Sequence, residues 1–169
     1  MRASGKTTVV VLGSTGRILN RHSVDATEKL NLLGQNSGNL VFQYAANGLF
    51  AGPIVNVARS ELPYRKFSTI PDVGALVFPA ANHIRLGADW TSLSGFLRRS
   101  RVPLIVLGLG AQAPDLDGRL DVIDQLRADA TLMDFIAALR EKAAFISVRG
   151  HYTQTVCQAL GLRDVEVLG

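Results

Sequence analysis

Arg149 directly follows the strand-like run Ala144-Phe-Ile-Ser-Val148 and is itself followed by Gly150. A guanidinium delivered where a strand stops and a helix begins lies beside that helix's free N–H groups. Such a setting receives carboxylate or phosphate. An ion pair with Asp164 or Glu166 is the structural alternative for the same side chain. His83 and Asp89 follow a second apolar run, residues 74–78, and are the nearest acid–base candidates. Asp89 also stands where the acid of a helix's first turn would be. Asn82 arrives in the polar stretch Pro79-Ala-Ala-Asn-His83, where that run ends. Gly13-Ser14-Thr15-Gly16 follows the first β-branched run, and its small residues can turn backbone N–H groups toward an anion. Gln112 comes just after Gly108 and Gly110, and Asn39 opens a helical pattern either as a ligand contact or as a cap.

The totals exclude several classes. The chain has 169 residues, 47% hydrophobic and 19% charged, which suits one folded domain with a substantial core. Cys157 is the only cysteine, so no internal disulfide can form, and the three scattered histidines show no metal-ligand spacing. A reducing cytoplasm is the expected setting. No apolar stretch approaches the roughly 20 residues of a membrane-spanning helix. The net charge of +4 favours anionic ligands, but Arg98-Arg99-Ser100-Arg101 is the one basic cluster. It reads as a solvated helix end, and nucleic acid is not an expected partner. Gly5-Lys6-Thr7 resembles the end of a phosphate-binding P-loop but precedes its strand and lacks the upstream glycine.

The elements that position these residues alternate. Strands are expected over 7–12, 54–58, 74–78, 104–108, 144–148 and 165–168. Helices are expected over 37–47, 89–99 and 120–142, with another from Gly150 to a stop at Gly161. The 104–108 run is apolar throughout, as a strand buried on both faces must be, and is placed near the centre of the sheet. Residues 17–38 form a long polar connection, and 115–118 a loop. The predicted inner stripes are Val41, Tyr44 and Ala45; Trp90, Leu93 and Leu97; Ile123, Leu126, Ala130, Met133 and Ala137; and Tyr152, Val156 and Ala159. Strands alternating with helices define an α/β fold with a doubly wound parallel sheet and right-handed crossovers.

Several of these segments resemble the amino-terminal half of the polysaccharide pyruvyl transferase family. They are Gly13-Ser-Thr-Gly16, His22-Ser-Val-Asp-Ala-Thr-Glu28, Asn36-Ser-Gly-Asn-Leu-Val-Phe-Gln-Tyr44, Gly108-Leu-Gly-Ala-Gln112 and Ile146-Ser-Val-Arg-Gly-His-Tyr-Thr153. The most specific is the last, a Ser-x-Arg strand end with a hydroxyl residue four positions after the arginine. The resemblance implies a Rossmann-like domain, the first of two in a GT-B-like architecture, and residues 1–169 as the amino-terminal half of a longer enzyme. It implies transfer of the enolpyruvyl unit of phosphoenolpyruvate to sugar hydroxyls of an exopolysaccharide or cell-wall glycan as a ketal. Phosphoenolpyruvate is then the donor substrate, with no further cofactor and no metal. Arg149 matches the family's strand-end arginine, implied to bind the donor's anionic groups, and Asn39 matches a turn at the start of the first helix. The family's glycine-rich turn after the third strand is replaced here by Pro79-Ala-Ala-Asn-His83, so the acceptor is expected to differ. Self-association into a homo-oligomer is left open. The alternative readings are a noncatalytic sugar- or nucleotide-binding α/β module, or half of a nucleotide-sugar glycosyltransferase of the GT-B type.

Overall fold

The computed structural model describes residues 7–13, 25, 27, 37–58, 69–112 and 119–168. Their order is β1 (Thr8–Leu12), α1 (Ser37–Gly48), β2 (Ile54–Val57), β3 (Val73–Pro79), α2 (Thr91–Arg99) and β4 (Leu104–Leu109). Then follow α3 (Arg119–Ala128), α4 (Ala130–Lys142), β5 (Ala143–Val148), α5 (His151–Ala159) and β6 (Glu166–Val167). The six strands form one sheet in the order β2-β1-β3-β4-β5-β6. Every pair is parallel. This is the expected Rossmann-like α/β sheet, with β3 and β4 at its centre. Among the described residues, no helix is long and apolar enough to cross a membrane.

The strand order decides which face each helix covers. From β3 to β6 the chain always steps the same way, so right-handed crossovers put α2, α4 and α5 on one face. The step from β1 to β2 runs the other way and puts α1 on the opposite face. Burial agrees. Val10, Leu12, Leu76, Phe78, Leu104 and Val106 join Leu93, Leu97, Phe135, Leu139 and Val156 in one core cluster. Val11 and Val77 of the sheet and Ala46 of α1 are buried outside that cluster. Trp90 is core as expected, stacked on Phe135 at 5.3 Å between ring centroids.

Three helical expectations are corrected. The span 120–142 is two helices, broken at Asp129, whose extended backbone and side chain start the second one. The break resets the helical phase. Ala130 is exposed and Met133 and Ala137 only half-buried, while Leu132, Phe135, Ile136 and Leu139 face the core. The stripe foreseen for α1 is its outer side, with Val41 67% and Tyr44 52% exposed. Ala46 is buried instead, with Phe42 and Gln43 half-buried. In α5, Tyr152 lies outward and Thr153, Val156 and Cys157 are buried. Gly161 does close that helix, at φ 85°. Of the connection expected over 17–38, only residues 25, 27, 37 and 38 are described, and the 115–118 loop lies outside the described residues.

Candidate functional site

The site is assembled at the carboxyl ends of the strands, beginning with the turn that ends β4. Gly108 takes φ 59° there, and the register between β4 and β5 shifts across Val106 and Leu109. Three side chains from the β5–α5 segment hold this turn. Ser147 Oγ accepts from the Gly108 N–H at 2.9 Å. Thr153 Oγ1 accepts from the Ala111 N–H at 3.1 Å. Arg149 Nε donates to the Gly108 carbonyl at 3.2 Å. The Ser-x-Arg-x-x-x-Thr pattern thus has a local physical reason: both hydroxyls are buried and fasten the β4 turn to the β5 strand end. A parallel bridge between Ile84 and Ala111 adds the loop after β3 to the same edge.

Arg149 is exposed, and Asn82 shapes its head group. Arg149 Nη1 donates to Asn82 Oδ1 at 3.1 Å, and the Phe42 ring lies 5.7 Å from the guanidinium carbon. Two of the five guanidinium N–H donors are used in these bonds; the others have no partner among the described residues. Gly110 lets Asn82 come this close. A Cβ at Gly110 would stand 2.7 Å from Asn82 Oδ1 and 3.3 Å from Arg149 Cδ. Gly150, in contrast, is extended at φ 173° and ψ 174°, with open space where a Cβ would be. Its lack of a side chain is therefore not what turns the chain after Arg149.

The other sequence candidates fall in distinct environments. Asp89 Oδ1 accepts from the Thr91 N–H at 2.9 Å in a turn just ahead of α2, whose N-cap position is Trp90. His83 is half-buried, with Nδ1 bonded to the Ala80 carbonyl. A carbonyl only accepts, so Nδ1 carries the proton. The imidazole stands edge-on to Phe78, 4.8 Å between centroids, and 5.1 Å from Trp90. Gln112 is exposed on the rim, and its backbone N–H donates to Ile84 O at 2.9 Å. Asn39 lies half-buried in the first turn of α1, which the β1–β2 crossover starts at this same edge. Gly13 ends β1 at φ 138°. Ser14 and Thr15 lie outside the described residues. The structure thus brings Arg149 and Asn82 together, packs His83 against Phe78 and Trp90, and holds Asp89 in the turn before α2.

Two contributors escaped the sequence reading, Phe42 and Gln43. Both sit on the inner side of α1, and Phe42 Cζ would meet a Cβ on Gly108 at 2.8 Å. The signal that pointed to them was the pair Gly108 and Gly13, each glycine leaving room for one of these side chains. Next to Gly13 a cavity of about 230 Å³ opens between the ends of β1 and β3. Leu12, Gly13, Gln43, Phe78, His83 and Leu93 are among the residues that line it.

Fold and site together define a doubly wound α/β protein with Arg149 and an apolar crevice at the carboxyl ends of its strands. No family model, curated protein or solved structure matches the chain.

Proposed function

We propose that this chain is the donor-binding half of a pyruvyl transferase, taking phosphoenolpyruvate and a glycan acceptor. The observation that carries the reading is Arg149, held by Asn82 and Gly108 at the carboxyl edge with donors left for an anion. Ketal formation from phosphoenolpyruvate needs cations for a carboxylate and a phosphate, an acid for the methylene carbon and a base for the attacking hydroxyl. Arg149 supplies a planar fork for one anionic group, and Asn82 fixes its angle. His83 is the acid–base candidate closest in sequence to this pair. The other catalytic groups would come from a second Rossmann-like domain in a GT-B arrangement. A cytoplasmic setting accords with Cys157, a buried free thiol.

A noncatalytic sugar- or nucleotide-binding module is the second reading. Asp89 favours it, because its Oδ1 accepts from the Thr91 N–H in the turn before α2 and no contact joins it to Arg149 or Asn82 among those described. Calorimetric titration with phosphoenolpyruvate tests the leading reading. Wild type should bind, and Arg149→Lys should bind about tenfold more weakly, since the charge remains but the fork is lost. Equal affinities would remove Arg149 from the site, and the reading with it. Phosphate release on adding glycan then separates the enzyme from the binding module.

A further inference from the structure

We propose that a cleft at the amino ends of β5 and β6 binds a small monocarboxylate with an apolar body. It lies at the opposite edge of the sheet from Arg149 and does not rest on the functional reading. The register of β6 opens it. β6 pairs only with Ser147 and Val148, so the first residues of β5 have no strand partner on that side among the described residues. Between them, the end of α4 and the turn at 161–164 lies a cavity of about 180 Å³, room for several waters or one small organic acid.

The lining specifies the ligand. Leu139, Ile146 and Leu162 are buried and give the cleft an apolar floor. Two arginines stand with them, Arg140 from the last turn of α4 and Arg163 from the turn before β6. Neither makes a hydrogen bond or ion pair among the described residues, unlike Arg98, Arg127 and Arg149. The backbone turn locates the Arg140 head group at the cleft. Gly161, which closes α5 at φ 85°, lines the same cavity, and a Cβ there would lie 3.7 Å from Arg140 Nη1. A guanidinium with no protein acceptor, beside an apolar pocket, takes a carboxylate through its planar fork. Asp164 lines the cleft too, so two arginines and one aspartate leave a net charge of +1 around it. That balance suits one negative charge and disfavours a phosphate dianion. An apolar body buries itself on the floor, which a bare ion cannot do.

The test is a ¹H–¹⁵N titration of the full chain with 4-methylpentanoate, 4-methylpentanamide and acetate. The acid should shift the Ala143, Gly161 and Leu162 resonances. The amide has the same skeleton without the charge, and acetate the same charge without the body. Each should bind about tenfold more weakly than the acid. Arg140→Gln, a change at an exposed helix end, should erase the preference for acid over amide. Equal binding of acid and amide to wild type would overturn the proposal. So would the absence of shifts at those residues at millimolar acid, tighter binding of inorganic phosphate there, or retention of the preference in Arg140→Gln. The wild-type comparison stands even if the variant fails to fold. Phosphoenolpyruvate affinity reads Arg149 and the preference for acid over amide reads Arg140, so the functional reading and this one fail separately.

Discussion

The glycines around Arg149 differ in what they permit, and substitutions separate them. Gly110 has Asn82 Oδ1 at 2.7 Å and the Ala81 carbonyl at 3.2 Å from any added Cβ. Gly110→Ala must push Asn82 off the guanidinium, and overpacking of this kind costs about 1–3 kcal/mol. Urea denaturation should show that loss, and phosphoenolpyruvate affinity should fall with it. An unchanged midpoint would mean that the contact relaxes freely. Gly150 has open space and an extended backbone, so Gly150→Ser should stay within about 0.5 kcal/mol of wild type. A large loss there would restore to Gly150 the turning role that its backbone does not indicate.

At the scale of elements, the α3–α4 break depends on one side chain. Asp129 accepts from the Thr131 N–H at 3.0 Å and the Leu132 N–H at 3.1 Å, and also from the Thr131 hydroxyl at 2.9 Å. Asp129→Ala should cost about 1 kcal/mol, and Asp129→Asn much less, because both Asp and Asn cap well. Thermal melts of the two variants decide this; equal losses would show that charge matters more than capping. Arg98 links α2 to α4 through Asp134 at 2.8 Å and Glu141 at 3.6 Å. The hydrogen bond from Arg98 holds the Asp134 carboxyl below its usual pKa of 3.8. With a depressed folded-state pKa, the stabilisation is present above pH 3.8 and is lost as pH falls through the lowered value. The side chains are 35% and 46% exposed, so the effect should be under about 1 kcal/mol. Asp134→Asn should flatten the acid limb of a stability–pH curve by that amount. A variant curve parallel to wild type would show that the pair contributes nothing.

Across the whole molecule, the sheet order ranks the strands. β1, β3, β4 and β5 each pair on both sides, β3 and β4 lie farthest from the edges, and the edge strands β2 and β6 pair on one side. Hydrogen exchange should be slowest for amides of β3 and β4, including those of Leu104 and Val106, which are fully buried. Fast exchange in β4 would contradict the architecture. Cys157 reports on the same core from the helical side. Burial pushes its thiol up from 9.0 to about 12, so it stays protonated where a free cysteine would ionise. The unfolded chain releases that proton first, so stability should fall as pH rises from about 9 toward 12. At pH 8 a thiol reagent should modify native protein only as fast as the core opens. Modification at the rate of a free thiol would place Cys157 outside the core.

The sequence by itself determined the alternation of elements, the parallel sheet and the strand end that delivers Arg149. Those follow from short β-branched runs and helical periods that each segment carries locally. It marked Trp90 as core, and it offered the Asp89 cap as an alternative to a catalytic role. It also singled out the Ser147, Arg149 and Thr153 pattern without its meaning, because the partner of all three is a turn some 40 residues earlier. Only the tertiary structure decided which side of α1 faces inward. Apolar residues stand on both sides of that helix, and periodicity cannot choose between two apolar faces. Strand order was likewise undecided by local residues: β1 lies between β2 and β3 through pairing between distant segments. That order opens the crevice and brings Gln43 to Gly13, a contact between residues 30 positions apart that neither segment encodes alone.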